Sequence, residues 1–293
     1  MAVTRLDLRP MDLGDILDRT FRLYRAHFMT FFLIMLAVQA VVFLGQLAWQ
    51  TTILPLHEAG RVGQAVAVAG VLKFMLGFFV FAVVAFLAAQ IGIGTLTAAV
   101  SAIYLGDIIG IGEALRRVRP VLGKLLGTNL LSAVVVTLGM MACLVPGIYF
   151  LLSYLLVSEV VVIEGLGPVA ALQRSRDLMR KKSDKGFFRN NITKASVILL
   201  ITFALASVAK MIVGVPFAIV QLMSYNPRHP PNAFAPLQLL AGILTMIMQA
   251  GVGPIGTIAM ILFYYDIRVR KEGFDLQVLA AALGAQPVPP VQP

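Results

Sequence analysis

The chain has 293 residues, of which 59% are hydrophobic and only 13% charged, with a mean hydropathy of +0.89. That leaves too little polar surface for a water-soluble domain, so an integral membrane protein is expected. A net charge of +10 gathered into a few clusters argues against a nucleic-acid partner, and the single cysteine, Cys143, excludes an internal disulfide and a zinc site of its own.

The segment "RPMDLGDILDRTFRLYRAHF" stands near the start of the chain. Leu13, Ile16, Leu17, Phe21, Tyr24 and Phe28 fall on one helical stripe, while Asp12, Asp15, Asp18, Arg19, Arg22 and Arg25 lie mostly elsewhere. This predicts an interfacial helix within 1–27, lying along the membrane surface. Its acids come early and its bases late, which suits the helix dipole, and Asp15/Arg19 and Asp18/Arg22 have i,i+4 spacing.

A helix crossing ~30 Å of hydrocarbon needs ~20 mainly apolar residues. Six stretches qualify: 28–50, 74–105, 125–144, 146–163, 195–223 and 237–265. The first is too long for the core of a cleavable signal peptide, so it is expected to be retained. The second, fifth and sixth exceed one crossing and must tilt, bend or project. Pro146 and Gly147 are expected to form a tight turn between the third and fourth. Together these make residues 1–283 a single polytopic membrane domain, followed by a proline-rich tail, 284–293, expected to be disordered.

Most of the 24 basic residues lie before the first span, between the second and third, between the fourth and fifth, or after the sixth. Because Lys and Arg beside spans are retained in the cytoplasm, both termini are expected there. The final run, "ILFYYDIRVRKEGFDLQ", then reads as a membrane exit: Tyr264 and Tyr265 would straddle the interface, with Asp266/Arg270 and Arg268/Glu272 paired at i,i+4. Segments 13–28, 111–126 and 167–181 each give a turn residue, a short amphipathic helix and a Leu-x-Arg step before the next hydrophobic hairpin. They suggest three modules, each an interfacial helix plus a hairpin.

Several polar features carry candidate functions. Lys210 lies inside the fifth apolar run, where a base costs ~2.5–3.5 kcal/mol at the bilayer centre. It either lines a cavity for an anionic ligand or snorkels to the outer interface. Glu159 stands about a turn inside Glu164 and needs a partner or a proton. Asp107, Glu113, Glu164 and Asp266, facing Arg174, Arg268 and the arginines at 116, 117 and 176, are expected to form a cytoplasmic ion-pair layer. Arg180, Lys181, Lys182, Lys185 and Arg189, beside Phe187 and Phe188, suit an anionic lipid surface or a protein partner. The stretches "IGIG" (91–94), "VGVP" (213–216) and "GVGPIG" (251–256) are either helix breaks of the transporter kind or small-residue packing sites.

The segments "RPMDLGDILDRTFRLYRAHF", "EGLGPVAALQRSRDLMR" and "FYYDIRVRKEGFDLQVLA" resemble, in order, the bacterial glycerophosphoryl diester phosphodiesterase membrane domain family. The resemblance implies a multi-helix membrane domain of the bacterial inner membrane, named for occurring beside a phosphodiesterase barrel in some proteins, while most stand-alone members have no assigned activity. Enzyme activity is not carried over with the name. A (β/α)₈ barrel of about 250 residues does not fit beside six spans, and His27, His57 and His229 fall in separate segments. The expected protein is therefore an all-α integral membrane protein of six transmembrane helices with interfacial amphipathic cytoplasmic helices. It would use no cofactor and act as a non-catalytic accessory or scaffold for anionic phospholipids and a membrane or cytoplasmic protein. The alternative is a transporter or lipid-handling protein that uses Lys210 and the interrupted helices.

Overall fold

The computed structural model describes residues 10–59, 64–107, 109–180, 191–223, 235–274 and 276. Among them there are ten α-helices, one 3-10 turn and no strand. The order runs in three rounds, each a short helix followed by a hairpin. The first round is α1 (Leu13–Ala26), α2 (Phe28–Ala59) and α3 (Gln64–Tyr104). The second is α4 (Ile111–Val118), α5 (Leu122–Ala142), α6 (Leu144–Ser153) and α7 (Val157–Glu164). The third is α8 (Pro168–Arg180), α9 (Asn191–Met223) and α10 (Ala235–Glu272).

Local chemistry sets the short helices. Asp12 is extended at the start of α1, and its N–H donates to Asp15 Oδ2 at 3.2 Å, so an acid meets the orphan donors of the first turn. Gly110 precedes α4, with Glu113 in the first turn and Arg116 and Arg117 in the last. Pro168 opens α8, where its missing N–H costs no internal bond.

Among the described residues, six stretches are long and apolar enough to cross a membrane: Phe28–Trp49, Val68–Tyr104, Ile111–Ala142, Leu144–Glu164, Asn191–Ile219 and Pro236–Glu272. The protein is an all-α, multi-pass membrane protein. Three sequence expectations change in detail. The third and fourth spans are not parted by Pro146 and Gly147; the break is Cys143, extended at φ −170°, ψ 150°, and both residues sit in the first turns of α6. The fourth span is two helices, and the carbonyl of Ser153 at the end of α6 accepts a 2.8 Å bond from Ser175 Oγ of α8. The sixth continues helically through "DIRVRKE" to Glu272 instead of ending at 265. The stretches 91–94, 213–216 and 251–256 lie within continuous α3, α9 and α10, so none of them breaks its helix; the first and last pack closely, Gly92 and Gly94 against Val38 and Val118 and Gly253 against Met35, whereas Gly214 has open space beside it.

At 1.5 Å per residue the 41 residues of α3 extend ~60 Å, about twice the hydrocarbon thickness. Burial shows where the extra length goes. Leu96–Ala102 of α3, Ile258–Ile267 of α10, the start of α9, and parts of α1, α4, α7 and α8 form one contiguous core. Phe31, Phe263, Tyr264, Tyr265 and Leu125 are fully buried within it. This polar end also carries the start of α1 and the end of α10, side by side. Away from it the hairpins present Leu44, Leu76, Phe79, Met141 and Phe203 outward, a surface suited to acyl chains.

The α5–α6 hairpin closes on glycine. A Cβ built on Gly147 would stand 2.8 Å from Met140 Cα, and one on Gly139 would stand 3.2 Å from Gly147 Cα, so the two backbones touch. Gly147→Val is expected to cost ~1–3 kcal/mol through overpacking and to lower the thermal midpoint read by circular dichroism in detergent. Gly214→Ala, where nothing lies within 4 Å, is the control expected to leave the midpoint unchanged or slightly raised.

Candidate functional site

At the polar end the Asp266 carboxylate, 1% exposed on α10, meets Lys194 Nζ from the first turn of α9 at 3.4 Å. Its other oxygen takes Arg270 Nε at 2.8 Å, one turn along α10, and the backbone N–H of Met11 at 2.7 Å. Lys194 Nζ and an Arg270 terminal nitrogen in turn donate to the Met11 carbonyl at 3.1 and 2.7 Å. The backbone N–H and C=O of one residue, two nearly fully buried side chains and the partly exposed Arg270 thus satisfy one another. A buried charge is tolerable only under that condition. Tyr24, farther along α1, donates to the carbonyl of Gly251 in the turn of α10 that Pro254 weakens. Burial pushes the Tyr24 hydroxyl pKa up, so it stays protonated as a donor.

A second cluster joins α7, α8 and α10. Arg174 Nε reaches both Glu164 oxygens at 3.1 and 3.0 Å, and its NH2 lies 2.5 Å from Glu272 Oε1. Arg268 Nε contacts Glu272 Oε2 at 3.0 Å, and the guanidinium carbon Cζ lies 4.3 Å from the centre of the Phe274 ring. Burial works against the Arg174 charge, but the hydrogen bonds and charges of Glu164 and Glu272 outweigh it and hold its pKa above the ordinary value. The tyrosines belong to this layer and do not face lipid as interfacial rings. Both are fully buried; Tyr264 donates to Glu164 Oε1 at 2.7 Å, and Tyr265 shares a 2.5 Å hydrogen bond with Ser101.

The expected ion-pair layer therefore divides into separate sites. Glu164, Arg174 and Arg268 converge, with Glu272. Asp266 instead takes Lys194 and Arg270. Asp107 and Glu113 stand apart at the surface with Arg117, at 3.8 and 2.9 Å. Arg176 leaves the acids altogether, donating to the Tyr154 hydroxyl at 2.9 Å and lying over the Phe150 and Tyr154 rings. Lys271 bonds the Asp177 carbonyl at the end of α8 and Lys124 the Gly165 carbonyl after α7, so these two cations close helix C-termini as the macrodipole favours, while the neutral Asn191 amide donates to the Leu178 carbonyl. Charged clefts also lie among the described residues. One of about 400 Å³ includes Asp15, Asp18, Arg19 and Arg22 of α1, and one of about 380 Å³ includes Arg174, Arg180, Lys271 and Glu272.

Of the basic segment, Arg180 is exposed at the end of α8; Lys181, Lys182, Lys185 and Arg189 lie outside the described residues. Lys210 and Glu159, paired in the sequence reading as intramembrane polar groups, are not brought together. Lys210 is exposed on α9. Glu159 is 4% exposed and lines a cleft of about 420 Å³ between α7, α9 and α10, whose lining does not include Lys210. Sequence reasoning missed the roles of Lys194 and of the Met11 backbone. The only signal was a base at the mouth of an apolar run.

The chain matches no family model, and no curated protein or solved structure matches it.

Asp266→Asn keeps the side-chain shape but leaves Lys194 buried without its counter-ion, an expected loss of ~3–5 kcal/mol. Thermal unfolding in detergent reads the loss, and limited proteolysis within α1 is expected to accelerate as its anchor at Met11 weakens. The double variant Asp266→Asn/Lys194→Gln is expected to cost less than the sum of the two single changes.

Proposed function

We propose that the protein is a non-catalytic accessory or scaffold of the bacterial inner membrane, with both termini and the polar end in the cytoplasm. In this reading it belongs to the glycerophosphoryl diester phosphodiesterase membrane domain family that its three segments resemble. The observation that carries the reading is the mutual engagement of charges at the polar end. Asp266, Glu164 and Glu272 are each held by cations of other or adjoining helices, which makes a rigid layer out of α1, α7, α8, α9 and α10. Such a layer suits holding a partner in one orientation.

The short helices α1, α4 and α8 would lie along the interface. In α1, Ile16 and Thr20 are buried while Asp18, Arg22 and Arg25 are exposed, an arrangement that fits one face inward and one toward headgroups. The dense basic segment continuing from Arg180 through Lys181, Lys182, Lys185 and Arg189 would engage anionic phospholipids, and the two charged clefts would receive a membrane or cytoplasmic protein. The transporter alternative loses its main support at Lys210, which is exposed and away from the intramembrane cleft.

Near a cytoplasmic leaflet each base contributes ~1 kcal/mol of attraction to anionic lipid. Changing Lys181, Lys182 and Lys185 together to Gln is therefore expected to weaken co-flotation of the detergent-purified protein with phosphatidylglycerol liposomes by about 100-fold. Unchanged flotation would refute the lipid-facing surface. For orientation, Lys182→Cys in a Cys143→Ala background is expected to resist an impermeant maleimide added to intact cells and to react after permeabilisation. Labelling from outside would invert the map.

A further inference from the structure

The Glu159 cleft has no part in the polar end's ion pairs. Its walls come from Leu155 and α7, from Leu199, Thr202, Phe203 and Ala206 of α9, and from Val252, Gly253, Gly256, Thr257 and Met260 of α10. The "GVGPIG" stretch thus contributes small residues to one side of a cleft without interrupting its helix. Glu159 is 96% buried by its 4% exposure, and its Oε2 has no hydrogen-bond partner among the described residues. Beside it Ser158 Oγ belongs to a network in which Asn129 Nδ2 donates to Gln90 Oε1 at 2.8 Å and to Ser158 at 3.3 Å. That network satisfies its own members and leaves Glu159 out. At the rim, Phe203 is 68% exposed and Leu199 38% exposed, on the apolar flank of α9.

Depth and chemistry together define an occupant. Glu159 lies five residues before Glu164, ~7–8 Å along the helix from the acid that anchors the polar layer. With the polar end at the membrane surface, as in the orientation proposed above and on which this inference rests, that is the level just beneath lipid headgroups. A lone carboxyl oxygen in an apolar cleft needs a donor, and a positive one gives the strongest bond in low dielectric. The lining of Leu, Phe, Val and Met accepts methylenes, and a volume of about 420 Å³ has room for the aminoethyl end of a headgroup. We propose that this cleft binds a membrane lipid bearing a protonated primary amine, with the ammonium donating to Glu159 and the glycerol region near Thr202 and Thr257. Phosphatidylethanolamine has this chemistry. Phosphatidylcholine has the charge but no N–H, and phosphatidylglycerol has neither.

Native mass spectrometry of the full-length protein, titrated with each of these three lipids, tests the assignment. The wild type is expected to hold phosphatidylethanolamine at least ~10-fold more tightly than the other two, a difference one charge-assisted hydrogen bond can supply. Glu159→Gln is expected to abolish that preference while keeping the side-chain shape. Ala206→Phe, which fills the cleft and leaves Glu159 in place, is expected to abolish it too, and decides the matter if Glu159→Gln does not fold. An undiminished preference in either folded variant, or none in the wild type, overturns the proposal. Displacement of the lipid by micromolar soluble phosphoethanolamine would overturn the lipid as the source of the amine.

Discussion

One buried carboxylate organises the polar end of this protein. Asp266 stands at 1% exposure with Lys194, Arg270 and the Met11 N–H around it. Such a group is costly to desolvate and is stable only with its whole set of partners in place. Because those partners come from α9, from the next turn of α10 and from the chain leading into α1, satisfying one charge fixes three elements. The relation is reciprocal: Lys194 and Arg270 are themselves held by the carbonyl of the same Met11.

The rest of the polar layer extends from there along α10. Arg270 on one side of the helix completes the Asp266 site, while Arg268 and Glu272 on another reach Arg174 of α8 and, through Tyr264, Glu164 of α7. Carrying alternate charged residues helically past the bilayer lets one element serve two clusters. It also explains why Tyr264 and Tyr265 are interior groups: their rings fill the space between helices, and their hydroxyls find Glu164 and Ser101. The distal hairpins obey a different rule. There the apolar side chains turn outward, and helices meet at small residues, as Gly139 and Gly147 do.

This division sets two chemically different surfaces on one protein. The polar end is a self-neutralised layer with charged clefts around it. Within the candidate spans Glu159 is a buried acid that the layer does not reach, and it opens onto a cleft beside the exposed apolar flank of α9. In the function proposed, the first surface holds partners in place and the second receives a small part of a lipid.

Sequence by itself determined the class, the six apolar runs and the order of short helix and hairpin, because these follow from composition, run length and 3.6-residue periodicity, all local properties of the chain. It also determined the pairs Asp266/Arg270 and Arg268/Glu272, since i,i+4 spacing on a helix is enough to bring them together. Tertiary structure alone decided that Lys194 pairs with Asp266, 72 residues away, that the Met11 peptide joins them, and that Arg176 turns to aromatic rings instead of an acid. It also decided that Glu159 and Lys210 part company. Partners between helices depend on which faces meet, and in a chain this rich in long apolar helices many pairings bury similar hydrophobic area. The choice among them falls to the few polar groups that must be satisfied out of water.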